Sequence, residues 1–224
     1  MKLSKSAHYQ VQGKLHTDYL TDAYGPIHAD VLRHDDRKEL SDTVVSIRVA
    51  RLVDKKDILR TFAVTHLTYD KNDSELVKID EEIRGGGLIG STFRKHGFEI
   101  TKNVLDVSIV DIPAWMSKDF QVNASKAKAR LFEFYAKNEN EQAKLYGTVI
   151  EIYSPDFKNP EAGINEYDLS QVQRPSQNMG LSLDEIWKQL ASTLVDKHNK
   201  DEESKSIVDS NIQYFNQGIL KETK

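Results

Sequence analysis

Residues 44–69, Val-Val-Ser-Ile-Arg-Val-Ala-Arg-Leu-Val-Asp-Lys-Lys-Asp-Ile-Leu-Arg-Thr-Phe-Ala-Val-Thr-His-Leu-Thr-Tyr, decide how the chain is read. Side chains of a strand alternate between its two faces, so 44–53 sorts into Val45, Ile47, Val49, Arg51 and Val53 on one face and Val44, Ser46, Arg48, Ala50 and Leu52 on the other. Asp54-Lys55-Lys56-Asp57 is a polar turn. Beyond it, 60–69 alternates again, with Phe62, Val64 and His66 opposite Ala63, Thr65, Leu67 and Tyr69. Two alternating runs joined by a short polar turn predict an antiparallel hairpin. Its first strand carries two arginines, Arg48 and Arg51, which point to opposite faces unless a bulge intervenes.

A charged connection, Asp70 to Arg84, follows the hairpin and leads to Gly85-Gly-Gly-Leu-Ile-Gly-Ser-Thr-Phe-Arg-Lys-His-Gly-Phe-Glu-Ile100. The three glycines open backbone conformations closed to other residues, and a short helix-competent run follows, ending at Gly97 as a C-terminal cap. Unpaired N–H groups at such a helix start suit a carboxylate or phosphate. Residues 98–112 form a long extended run closed by Pro113, and 114–128, with Trp115 and Met116, read as a loop or a short covering helix. The runs 129–137 and 144–154 predict a second hairpin, ended by Pro155.

Upstream, residues 1–27 are polar, with one short amphipathic turn at Leu15, Tyr19 and Leu20 before the turn Ala23-Tyr-Gly-Pro26. Beyond Pro155, residues 155–180 are rich in Asn, Pro, Gln and Gly and read as an arm. A helix starts after Ser182, capped with the help of Glu185, and a weaker helical segment spans 207–220. The expected organisation is a folded domain over 1–157, then a linker arm and a C-terminal helical extension over 158–224. Residues 183–220 are read as a packing element or a homo-oligomer contact.

Composition narrows the function classes. The net charge of −4, with basic and acidic residues interleaved, gives nucleic-acid binding no compositional support. The absence of cysteine removes disulfides and thiolate metal sites, and no apolar run approaches a membrane span, so the chain reads as a cytoplasmic protein with no membrane partner. Six of the seven histidines precede residue 97, but none has metal-ligand spacing with another, and no nucleophile elbow is present. No metal and no cofactor is expected.

The chemistry-bearing candidates are charged residues on apolar strand faces. Glu151 shares a face with Leu145, Val149 and Tyr153, Arg130 with Phe132 and Phe134, and Arg51 with Val45, Ile47 and Val49. A buried acid and buried arginines from different strands can line a pocket for a small polar ligand, the planar guanidinium gripping a carboxylate. The competing reading is an ion pair of Glu151 with Arg51 or Arg130. Gly85, Gly87 and Gly90 match G-x-G-x-x-G, but no strand or βαβ unit frames them, so a dinucleotide site is not indicated. A tight turn into a helix is the plain alternative. His66, on the Phe62/Val64 face, reads as a packed or hydrogen-bonded histidine near the proposed pocket.

The order of these elements resembles the chorismate lyase family and the related ligand-sensing domains of bacterial transcription regulators. The likeness lies in Ser46-Ile-Arg48-Val-Ala-Arg51-Leu-Val-Asp54, its partner Arg60-Thr-Phe-Ala-Val-Thr-His66, the helix opening Leu88-Ile89-Gly90-Ser-Thr-Phe93 and the last strand Gly147-Thr-Val-Ile-Glu151-Ile-Tyr-Ser-Pro155. Leu20-Thr-Asp-Ala-Tyr-Gly-Pro26 loosely resembles the segment entering the first strand. The resemblance spans about residues 20–157 and implies an α+β fold, an antiparallel sheet of about five or six strands with helices to one side, enclosing a ligand cavity. For a lyase it implies cofactor-free elimination of pyruvate from chorismate, with Arg48 as the carboxylate anchor, Ile89 and Gly90 touching the ligand through the backbone, and Glu151 as the orienting or acid/base group. Arg51, Gly87, His66 and Arg130 complete the expected ligand-binding set. For a sensor, the same arginines and glutamate imply binding of a small anionic metabolite without turnover.

Overall fold

A computed structural model describes residues 8–10, 14–40, 42–112, 114–139 and 142–157. In chain order these form β1 (His8–Gln10), α1 (His16–Tyr24), β2 (Ile27–Leu40), β3 (Thr43–Asp54), β4 (Leu59–Asp70), α2 (Ser74–Arg84), α3 (Ile89–Lys95), β5 (Glu99–Asp111), α4 (Ala114–Asp119), β6 (Lys126–Lys137) and β7 (Lys144–Tyr153). The strands make one sheet in the order β1-β5-β6-β7-β4-β3-β2, every neighbouring pair antiparallel. The fold is α+β. Both expected hairpins form, and β7 joins them by pairing with β4 as well as β6.

The sheet has seven strands among the described residues, because β1 and β2 extend its edges. Hidden in the sequence, β2 is crowded with His, Asp, Arg and Lys, a composition that suits an edge strand, where charge discourages pairing with a further chain. The segment read as a charged connection, 70–84, contains α2. Asp73 caps it by accepting from the N–H groups of Glu75 and Leu76, and Leu76, Ile79 and Ile83 are buried at helical spacing while most of the charges face outward.

Helices cover both faces rather than one. On the first face, Ile47, Val49, Phe62, Val64, Leu131, Ile150 and Ile152 pack with Met116 of α4 and the following Phe120. Phe62 meets Trp115 edge to face at 5.7 Å. On the second face, α2 and α3 set Leu76, Ile79, Ile83 and Phe93 over Leu67, Phe132, Phe134, Tyr146 and Val149, and α1 begins with Leu15 in the same cluster. The arm and the helices expected over 158–224, with the homo-oligomer contact assigned to them, lie outside the described residues, as does Pro113.

Between α2 and α3 the glycine run makes a turn only glycine fits. A Cβ on Gly87 would sit 2.7 Å from the Glu82 carbonyl oxygen and 2.9 Å from Thr92 Oγ1, and Gly86 has φ +101°. The run thus ends α2 and aims α3 back across the sheet.

Candidate functional site

On the second face, where α1, the glycine turn and the sheet meet, lies a cavity of about 70 Å³. Its walls are Leu15, which caps α1, and the first residues of that helix (His16, Thr17), Leu88, Ile89 and Gly90 at the start of α3, and inward-facing side chains of five strands, among them Arg48, Thr65, Lys102, Phe132 and Glu151. Gly90 belongs there for a steric reason: a Cβ would meet the Leu15 methyl groups at 3.2 Å.

Glu151 and Arg130 stand directly opposite each other on β7 and β6. Arg130 Nη2 donates to Glu151 Oε2 at 2.9 Å, and the Tyr153 hydroxyl donates to the same oxygen at 2.6 Å. Arg130 is fully buried, its guanidinium 4.7 Å from the Phe132 ring centre. Burial by itself raises the Glu151 carboxyl, but His16, Arg130, Lys102 and the Tyr153 hydroxyl outweigh it and bring the group down to about 2. His16 is itself lowered to about 4 by burial, against the pull of Glu151. At neutral pH it is therefore the two cations and the phenol that hold Glu151 ionised. His16 Nε2 lies 2.8 Å from Thr61 Oγ1, and its ring meets Tyr153 edge to face at 5.1 Å.

Arg48 is treated differently. It is 2% exposed, and Nη2 donates to the Gly87 carbonyl at 3.0 Å. Its Nε is buried without an acceptor, and among the described residues it has no carboxylate partner. Burial lowers it to about 10. Thr17 Oγ1, also in the cavity wall, is a second buried polar atom without a partner.

Arg48, Ile89, Gly90 and Glu151 thus line one cavity, Gly87 reaches it through the oxygen that Arg48 holds, and Arg130 stands behind Glu151. The ion-pair and pocket readings of Glu151 are both realised. Two residues go elsewhere. β3 runs in continuous register against β4 from Thr43 to Leu52, so no bulge rotates Arg51 inward, and it sits on the first face, bonded to Asp30 at 3.0 Å and 3.6 Å from Asp119. His66 shares the Phe62/Val64 face and is lowered to about 4 by burial. The glycine run meets Arg48 through a carbonyl rather than an N–H group. Sequence reasoning missed Lys102, 5% exposed with its ammonium 4.9 Å from the Phe132 ring centre, and also His16 and Thr17. A lysine two residues from the buried Ile100 on one strand face was the available signal.

Among the described residues no group of three or more His, Asp or Glu side chains is placed to hold a metal, and no helix is long and apolar enough to cross a membrane.

No family model matches the chain, and no curated protein does. Solved structures do show a likeness. The C-terminal domain of Yurk from Bacillus subtilis is 17% identical over 55% of this chain and 87% of its own, with a TM-score of 0.34. The effector domain of PhnF from Mycobacterium smegmatis is 9% identical over 58% of this chain and 82% of its own, at 0.37. The ligand-binding domain of a putative GntR-family transcriptional regulator from Bordetella bronchiseptica is 8% identical over 58% and 86%, at 0.39. Likeness at these TM-scores leaves the role of the cavity to its own geometry.

Proposed function

We propose that this chain is a binding domain for a small organic anion, with Arg48 as the anchor for its carboxylate or phosphate. The observation that carries the reading is the unmatched burial of Arg48. Removing a guanidinium from water costs several kcal/mol, normally offset by a carboxylate. Arg130 has Glu151 and Arg51 has Asp30, whereas Arg48 has one neutral carbonyl at the cavity wall. An entering anion would supply the missing partner through charge-assisted hydrogen bonds. Both bonds to Glu151 fall on Oε2, leaving Oε1 to accept from a ligand hydroxyl or ammonium, so a small hydroxy acid or amino acid is the chemistry the cavity suits.

Binding without turnover is better supported than lyase chemistry. A general acid or base works best with a pKa near the operating pH, whereas Arg130, Lys102 and the Tyr153 hydroxyl hold Glu151 ionised and burial holds His16 neutral, so neither group exchanges a proton near neutrality.

The test is thermal unfolding with lactate, serine, inorganic phosphate, glucosamine 6-phosphate and chorismate, with pyruvate release from chorismate followed in parallel. At a ligand concentration a hundredfold above Kd, stabilisation of about 2.7 kcal/mol is expected. Arg48→Met should abolish that response while remaining folded. An equal response in Arg48→Met would move the binding site elsewhere, and pyruvate release would establish the lyase.

A further inference from the structure

Outside the cavity, α2 and α3 are joined by a second charged cluster. His96, which closes α3, places Nδ1 2.5 Å from Glu75 Oε1 and Nε2 3.0 Å from Glu82 Oε1. Glu75 and Glu82 lie two turns apart on α2, so the imidazole spans one face of that helix. Lys95 adds a neighbouring tie, its Nζ reaching the two Glu82 oxygens at 2.9 and 3.1 Å. Carboxylates only accept, and a neutral imidazole has a single N–H. Both ring nitrogens facing carboxylate oxygens are satisfied together only by the imidazolium. The ring is 12% exposed, while Glu75 and Glu82 are 44% and 38% exposed, so the imidazole is tucked beneath two carboxylates that reach water.

The clamp bears on the cavity because α3 carries part of its wall. Leu88, Ile89 and Gly90 line the cavity, and glycines bracket the helix, with positive φ at Gly86 and Gly97. Phe93 packs the middle of α3 into the core, and the clamp fixes its far end; with the clamp released, the helix can rock about Phe93 between the glycines.

We propose that His96 is a protonation-controlled clamp, locking α3 onto α2 as the imidazolium and freeing the cavity wall when it loses its proton. The charged groups around it are Glu75 and Glu82 on α2 and Lys95 on α3. Arg94 turns to Asp18 of α1 at 3.9 Å, and Glu99 of β5 pairs with Lys137 of β6 at 2.8 Å. Hydrogen bonds from Glu75 and then Glu82 raise His96 above the ordinary imidazole value of 6.5. A raised histidine contributes stability that is complete below 6.5 and lost as pH rises through the raised value. The wall therefore tightens on mild acidification and loosens in mild alkali.

The full chain without ligand is the sample, so the outcome does not depend on whether the cavity binds an anion. Hydrogen exchange of amides 89–98 between pH 6 and pH 9, corrected for intrinsic rates, should lose roughly three- to tenfold more protection in the wild type than in His96→Gln. The His96 ring should titrate above 6.5 by NMR, and in the Glu75→Gln/Glu82→Gln double variant it should fall back toward 6.5 with the imidazole retained. A ring titrating at or below 6.5 in the wild type, or identical pH dependence of exchange in the wild type and His96→Gln, would overturn the clamp.

Discussion

Arg48 and Arg51 stand three residues apart on β3 and end in opposite settings. Arg51 lies at the rim of the α4 face, with Asp30 on β2 and Asp119 on α4 to meet its charge. The cluster beneath that face is wholly apolar, Ile47, Val49, Phe62, Val64, Ile150 and Ile152 packing against α4 and its flanks. Arg48 lies on the other face, among Lys102, Glu151 and Phe132, around a space not filled by side chains. The contrast separates two kinds of buried charge. Where a charge serves architecture, its partner is built into the neighbouring element. Where the partner is absent and a cavity adjoins, the charge is kept for something that arrives.

The strongest way to break this contrast is to attack the packed face. Phe62 is fully buried against Trp115, and Phe62→Ala should cost about 3–5 kcal/mol in urea unfolding through lost transfer energy and the void left behind. A loss below about 1 kcal/mol would mean that this face is loosely packed too and that the two sides of the sheet do not differ in kind.

Acid provides the next test, because His16 is buried at the cavity and His66 half-buried on the packed face. His16 at the cavity and His66 on the packed face are both lowered by burial to about 4 from 6.5. A lowered histidine gives stability that is complete above 6.5 and lost as pH falls through about 4, since the unfolded chain takes up the proton first. At about 1.4 kcal/mol per pH unit of difference, each contributes up to ~3 kcal/mol at neutrality. The urea midpoint should therefore fall between pH 6.5 and 4, with both rings titrating near 4 by NMR. A His16 ring titrating near 6.5 beside a His66 ring near 4 would show that the cavity admits enough water to solvate an imidazolium, which sharpens the contrast.

The β3–β4 hairpin was legible because strict alternation leaves one way to sort its side chains, and the opposite placement of Arg48 and Arg51 follows from the same parity. Which arginine faces the cavity was not legible, because both faces of this sheet are covered and each arginine keeps apolar company on its own face. The ion pair of Glu151 with Arg130 was readable as one of two options, since both sat on apolar faces of neighbouring strands. α2 escaped because Glu75, Lys78, Glu81 and Glu82 mask a narrow stripe of Leu76, Ile79 and Ile83. Meanwhile β2 escaped because Ile27, Ala29, Val31 and Leu32 are confined to one end of it and most of the rest of the strand is charged. Lys102 and His16 reach the cavity from elements some 50 and 135 residues before Glu151, and such convergence leaves no local periodicity to read.

The smallest effects bear most directly on the comparison. Arg51→Met removes a cation whose partners are partly exposed and leaves Asp30 and Asp119 access to water, so about 0.5–1 kcal/mol should be lost, and less at high salt. Arg48→Met removes a buried cation that has no acid to leave behind, and a side chain of similar length can fill the same apolar path. Its stability should rise rather than fall, with no dependence on salt. Urea unfolding of both variants at low and high ionic strength measures the difference. A loss above about 2 kcal/mol for Arg48→Met would show that its bond to the Gly87 carbonyl holds the glycine turn in place, making Arg48 a structural residue like Arg51 and leaving the cavity without its anchor.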